Sequence, residues 1–364
     1  MKVPLKINHF RRRAMHSLTK NIGNTSGIRK MSTIKSGAIK KVLIIRPNHR
    51  LGNMLLNTPL IQEVSAAFPN AKIDMLVKGG LAPIIFQNYN CINEYIILPK
   101  RPFNEPLKYI SVWIKMTFKK YDLIVNAVEG SSSGKLLTLI TRSKYKIYQN
   151  PEDGLDNSNS VHTAKQSIYA FRKIFTGQNF KAISADIPLL DLKLSTNEIT
   201  KGQETIDLLF DNDKKTIAIF TYATGNKCYS TSWWNIFYEQ LKKQFPTCNI
   251  LEILPVENVS QINFKTTSFY SKDIREIAAV MANSDIFIGA DSGIMHLASA
   301  SGVPTIGLFT GRIEAYKPYG NSNCAVDTTK TDLNHWMTKI TGILNSTAVK
   351  KTAVEKVKLS SVHL

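Results

Sequence analysis

The chain has 364 residues, 43% hydrophobic and 20% charged, which is enough for two ordinary domains with separate cores. Nineteen Gly and 14 Pro exclude a collagen-like or low-complexity chain, and the scattered Cys91, Cys228, Cys248 and Cys324 exclude a disulfide framework and zinc spacing. The formal charge of +20 points to anionic partners; ten of the bases fall in residues 1–40, which hold no Asp or Glu.

Residues 1–40 read as a basic, disordered arm without the apolar stretch that a signal peptide needs. From Lys41 the pattern is strand then helix. Lys41–Arg46 is a short β-branched run, as in a strand buried on both faces. The polar loop Pro47–Gly52 follows, then a helix over Asn53–Phe68 despite Pro59. Strands are expected at Ala71–Val77, Glu94–Leu98 and Tyr121–Ala127, with helices at Pro106–Lys120 and Lys135–Thr141.

The rhythm fades over Gln149–Ser160 and Gly177–Thr200, and a second series then begins. Strands are expected at Thr216–Phe220, Asn249–Leu254, Asp285–Gly289 and Pro304–Phe309, with helices at Ser232–Phe245, Lys272–Asn283 and Ser292–Ser301. Alternation of this kind implies two α/β, doubly wound domains of mostly parallel sheet, with ligands at the strand ends. The expected organisation is an arm at 1–40, domains at 41–200 and 201–345, and a basic tail at 346–364. The stretch Ile286–Arg312 carries Asp291, His296 and Pro304 and does not read as a bilayer span.

Three strand-end segments carry chemistry. In Gly289-Ala-Asp-Ser-Gly-Ile-Met-His296 an apolar strand runs into a helix whose first backbone N–H groups suit a phosphate, and Gly293 permits close approach. The plain alternative is that Asp291 or Ser292 only caps that helix. The loop Thr221–Ser230 joins a hydroxyl (Thr224), a glycine (Gly225) and a cation (Lys227), groups that suit a diphosphate leaving group. The loop after the first strand offers Arg46, His49, Arg50 and Asn53, with His49 placed to titrate near neutrality.

Other matches fail. Gly130-Ser-Ser-Ser-Gly-Lys135 is one residue short of a P-loop and is followed by Leu136, while Asp211-Asn-Asp213 precedes a strand and reads as a turn. No HExxH, GxSxG or GxGxxG follows the first strand, so neither a metal nor a nicotinamide enzyme is supported. Nucleic acid is not expected, for want of a recognition module. In Pro106–Lys120, Lys108, Lys115 and Lys119 share a face, and Leu107, Ile110, Ile114 and Phe118 share another. Such a helix suits an anionic membrane interface or is a surface helix with one buried stripe.

These segments together resemble glycosyltransferase family 9, the ADP-heptose:lipopolysaccharide heptosyltransferases. The resemblance rests on KVLIIR…LGNMLLNTPLIQEVSAAFPNAKIDMLV at 41–77, YDLIVNA at 121–127 and IFIGADSGIMHLASASGVPTIGLFTG at 286–311. It implies the GT-B fold: two Rossmann-like domains facing across a cleft, acceptor in the first, nucleotide sugar in the second. It also implies an inverting glycosyl transfer from an ADP-heptose-like donor to a lipopolysaccharide-core or related glycolipid, with no cofactor or obligatory metal. Donor binding would fall to Thr224, Gly225, Lys227, Asp291, Ser292, Gly293 and His296, and acceptor binding to Arg46, Arg50, Lys108 and Lys115. The expected setting is the cytoplasm, with peripheral contact at the inner membrane face. The family usually places an aspartate directly after the loop glycine. Here Asn53 follows Gly52, and an amide is no base, so His49 or Glu129 takes that role or the chain only binds donor or glycolipid.

Overall fold

The structure, a computed structural model, describes residues 13, 17–23, 36–128, 130–149, 161–173, 186–320 and 322–346. The chain divides into two compact units, Met1–Leu189 and Leu190–Leu364. The division falls ahead of the 200/201 boundary read from the sequence. The cause is a helix at Thr196–Leu209, which packs on the helix Ile274–Ala282 of the second unit. Glu129 and the basic tail beyond residue 346 lie outside the described residues.

The first unit is built on five parallel strands: β1 (Lys41–Arg46), β2 (Lys72–Lys78), β3 (Ile92–Leu98), β4 (Lys120–Asn126) and β5 (Arg142–Tyr148). Their order is β3-β2-β1-β4-β5, so the winding reverses between β1 and β4. The central β1 buries every residue from Val42 to Arg46, which is why it reads as an unbroken apolar run. β5, RSKYKIY, lies at the sheet edge and is half polar, so no strand is evident there from apolar content.

The helix expected over Asn53–Phe68 is two helices, Leu51–Leu55 and Thr58–Ala67. Pro59 has no N–H to continue the first helix, and it sits instead in the opening turn of the second, where that donor is not needed. Part of the basic arm is also ordered against this unit. Thr19 is 2% exposed and its hydroxyl donates to Ser132 Oγ at 2.9 Å. A disordered arm does not describe residues 17–23.

The second unit is built on β6 (Thr216–Phe220), β7 (Asn249–Ile253), β8 (Thr267–Phe269), β9 (Ile286–Ala290), β10 (Thr305–Phe309) and β11 (Cys324–Asp327). All six are parallel in the order β11-β10-β9-β6-β7-β8, with the reversal between β6 and β9. Ile217, Ile219, Ile288 and Leu308 form the buried centre, against Trp234, Phe237 and Leu241 from the helix Thr231–Gln244. Burying each such side chain contributes about 1.5–3 kcal/mol. Gly307 permits close packing: a Cβ there would lie 2.6 Å from Met295 Sδ. Among the described residues no helix is long and apolar enough to cross a membrane.

Candidate functional site

In doubly wound sheets ligands sit outside the strand C-termini at the point of reversal. In the second unit that point lies between the ends of β6 and β9, which pair directly as Phe220 with Gly289. The loop after β6 and the loop after β9 are therefore neighbours. Lys227 Nζ lies 2.5 Å from Asp291 Oδ2, with Lys227 half exposed and Asp291 largely buried. The ammonium also stands 5.7 Å over the ring of Tyr316.

Local structure sets both groups. Thr224 precedes a single 3-10 turn, Gly225–Lys227, and Gly225 supplies the left-handed φ of +64° that this turn requires. Ser292 caps the helix Gly293–Ser301, its side chain accepting from Met295 N at 3.2 Å. Asp291 is the residue before that cap, and its N–H donates to Leu308 O. It is thus free of the capping role and paired with the lysine. Thr224, Gly225 and Lys227 are exposed, whereas His296 is buried. The unit brings an ammonium, a hydroxyl and a helix N-terminus to one strand end, a set that suits a diphosphate.

Glu252 was missed from the sequence. It is fully buried near the end of β7, accepts from Thr221 Oγ1 at 2.6 Å and from Ser260 Oγ at 2.7 Å, and so fastens the loop after β6 to the loop after β7. Burial pushes its carboxyl up from the ordinary range, against the two hydroxyls that favour the charge. A lone Glu inside the apolar run Asn249-Ile-Leu-Glu-Ile253 was the available signal.

In the first unit the reversal lies between β1 and β4. Arg46, the last residue of β1, is buried and donates to the carbonyl of Ala127 just beyond β4. The guanidinium therefore holds the two strand ends together and is not an exposed anion binder. His49 is half-buried, and its pKa is lowered first by burial and then by Lys78, Lys100 and Arg50. Burial and then the cations from three strand ends both favour the neutral form of the imidazole. Arg50 is exposed, its N–H tied to Asn48 Oδ1 at 2.9 Å. Asn53 lies on the helix Leu51–Leu55, where its carbonyl accepts from Asn57 Nδ2.

Lys108 and Lys115, expected among the acceptor-binding residues, are not gathered with this group. Lys108 pairs with Glu105, and Lys115 pairs with Glu94 at 2.7 Å. Glu94 lies four residues before Leu98, the end of β3. At the strand rise that is about 13 Å back from the ends where Arg46 and His49 stand. Gly130–Lys135, rejected above as a P-loop, is the start of a helix with Ser131 as its cap. Asn212, in the rejected DxD, accepts from Lys214 N in a turn.

Residues 264–337, which include the Asp291–His296 segment, match the model of glycosyltransferase family 9 (heptosyltransferase). A lipopolysaccharide heptosyltransferase 3 of Escherichia coli is 24% identical over 299 residues, covering 74% of this chain and 84% of the relative. A glycosyl transferase of family 9 from Veillonella parvula shares the fold at a TM-score of 0.69 and 15% identity, covering 86% of this chain and 99% of that one. The Escherichia coli ADP-heptose lipopolysaccharide heptosyltransferase II does so at 0.62 and 13%, covering 84% and 99%. With its two Rossmann-like α/β units of the GT-B class, the chain is similar to the transferases of glycosyltransferase family 9, the heptosyltransferase family, whose model its residues 264–337 match.

Proposed function

We propose that this protein transfers a heptose-like sugar from an ADP-sugar to a lipopolysaccharide-core or related glycolipid acceptor, with inversion at the anomeric carbon. The pairing of Lys227 with Asp291 at the reversal of the second sheet carries this reading. The donor's diphosphate takes the Lys227 ammonium and the N-terminus of the helix Gly293–Ser301, with Thr224 and Ser292 beside it. Asp291, released from the lysine, accepts from a sugar hydroxyl. Gly225 and Gly293 keep the backbone open to the phosphates.

The bond to the ADP oxygen breaks as the acceptor oxygen attacks the opposite face of the sugar. Lys227 neutralises the charge that develops on ADP, so the reaction needs no obligatory metal or cofactor. His49, whose pKa its surroundings lower, takes the acceptor hydroxyl proton, and Asn53 orients that hydroxyl. Arg50 meets the anionic acceptor, and Arg46 positions the loop that carries both residues. The place of action is the cytoplasmic face of the inner membrane, where a glycolipid acceptor is reached.

The test is incubation with ADP-heptose and a lipopolysaccharide-core acceptor, with ADP release followed in time and product configuration read by NMR. ADP release that depends on acceptor, with an inverted product linkage, is the expected result. Donor binding without any ADP release would replace transfer by binding alone.

A further inference from the structure

The helix Pro106–Phe118 is apolar on two opposite sides, and only one of them meets the core. Met116 is buried, and Tyr109, Val112 and Trp113 pack beside it on the sheet. On the opposite side Leu107 is 83% exposed, Ile110 52%, Ile114 55% and Phe118 76%. Spacings of three, four and four residues put these side chains in one row along the helix axis, about 16 Å long at the helical rise. Phe103, in the approach to the helix, and Leu139, on the adjoining helix Ser132–Ile140, are also more than half exposed. Soluble surfaces scatter single apolar residues; a continuous row of large ones marks an interaction surface.

Charge selects the occupant. Between Lys100 and Lys146 the sequence holds ten bases and three acids. Lys108 and Lys115, each paired with one carboxylate (Glu105 and Glu94), lie along one flank of the apolar row, and Lys100 and Arg101 are exposed just before the helix. Two copies joined through this face would bring their basic flanks together, which opposes association. An anionic bilayer surface satisfies both features: acyl chains take the apolar row, and headgroups take the flanking cations.

We propose that the helix Pro106–Phe118, with Phe103, docks this protein onto an anionic lipid surface, lying in the plane of the interface. The proposal deepens the glycolipid-acceptor reading, since it brings the first unit to the surface where such an acceptor resides. Its test is independent of sugar transfer.

The full chain is mixed with vesicles of phosphatidylcholine alone, and with vesicles containing about one third phosphatidylglycerol, and bound protein is measured by flotation. The double substitution Leu107→Ser, Phe118→Ser is measured alongside, with thermal melting as the check on folding and light scattering as the check on oligomeric state. Expected results are binding at least about tenfold tighter to the anionic vesicles and a further loss of about tenfold in the double variant, with melting unchanged. Ile110→Ser alone should give a smaller loss in the same direction. Three results would overturn the proposal: no vesicle binding by the unaltered chain, equal binding by the double variant, or an unaltered dimer that the double variant turns into a monomer. A transferase that is active on a soluble acceptor yet ignores vesicles would overturn the docking surface and leave the transfer reading intact.

Discussion

Lys227 and Asp291 form an ion pair that ties the loop after β6 to the loop after β9, at 2.5 Å across the point where the sheet reverses. On the proposed transfer reading the carboxylate competes with the donor's diphosphate for this lysine, so the two substitutions should act in opposite directions on nucleotide affinity. Asp291→Asn should leave ADP affinity unchanged or raise it several-fold while lowering transfer. Lys227→Met should weaken ADP and lower kcat/KM by about 100-fold or more. Calorimetry with ADP and a transfer assay read both; parallel loss of ADP affinity in the two variants would contradict a competition for Lys227.

The acid side of the pH profile should report His49. Burial and the neighbouring Lys78, Lys100 and Arg50 lower its pKa from 6.5, so the neutral base form persists below that value. The acidic limb of kcat/KM is therefore expected below pH 6.5, and Lys100→Gln should move it upward by removing one of the cations. His49→Gln should cost about 100-fold or more in kcat. Should Asn53→Asp raise the rate while His49→Gln leaves it unchanged, the base belongs at position 53.

Acid stability of the second unit should depend on Glu198. Arg275 is 4% exposed and grips Glu198 through Nε at 2.5 Å and Nη2 at 3.0 Å, while donating to the carbonyls of Leu192 and Lys193. The guanidinium beside it holds the Glu198 carboxyl at about 2, against an ordinary 4.5. A lowered carboxylate pKa stabilises the fold fully above 4.5, and that contribution is lost as pH falls from there toward 2. Arg275→Met should destabilise the unit by about 3 kcal/mol at neutral pH, because it leaves a partly buried carboxylate without its partner. Chemical denaturation at pH 7 and pH 3 should show a smaller difference between variant and parent at the lower pH.

Gly202 fixes how closely two helices approach. A Cβ at this position would lie 2.4 Å from the carbonyl oxygen of Ala279 and 2.7 Å from Asn283 Nδ2. Backbone cannot yield as a flexible side chain does, so Gly202→Ala should cost about 1–3 kcal/mol despite the higher helix propensity of alanine. A Tm unchanged or raised would show that the helices separate freely.

The sequence located most strands of both sheets because parallel strands buried on two faces are short β-branched runs, as in Lys41–Arg46 and Thr216–Phe220. It missed β5, β8 and β11, an edge strand rich in Lys and Tyr and two edge strands of three and four residues, since none of them needs a continuous apolar run. The helix Thr196–Leu209 was legible from its capping box, Ser195 with Glu198, but lay in a stretch whose Asp, Asn and Gly content reads as loop. Its docking on Ile274–Ala282, through Gly202, could not be read from local pattern.

Composition returned a charge of +20 and left its partner open. The Asp-Ser-Gly segment and the Lys227 loop were each visible as chemistry in the sequence, because residue type and strand-end position depend on local order alone. Their union was implied only by the family resemblance, since residues far apart in sequence meet only through the order in which the strands pair. Arg46 shows the same limit: it reads as an anion binder and is a clasp on Ala127, because burial of the strand end turns the guanidinium inward. On the helix Pro106–Phe118 two apolar sides are equally good candidates for the core in a helical projection. Only packing against the sheet chose Tyr109, Val112, Trp113 and Met116, and so left Leu107, Ile110, Ile114 and Phe118 in water.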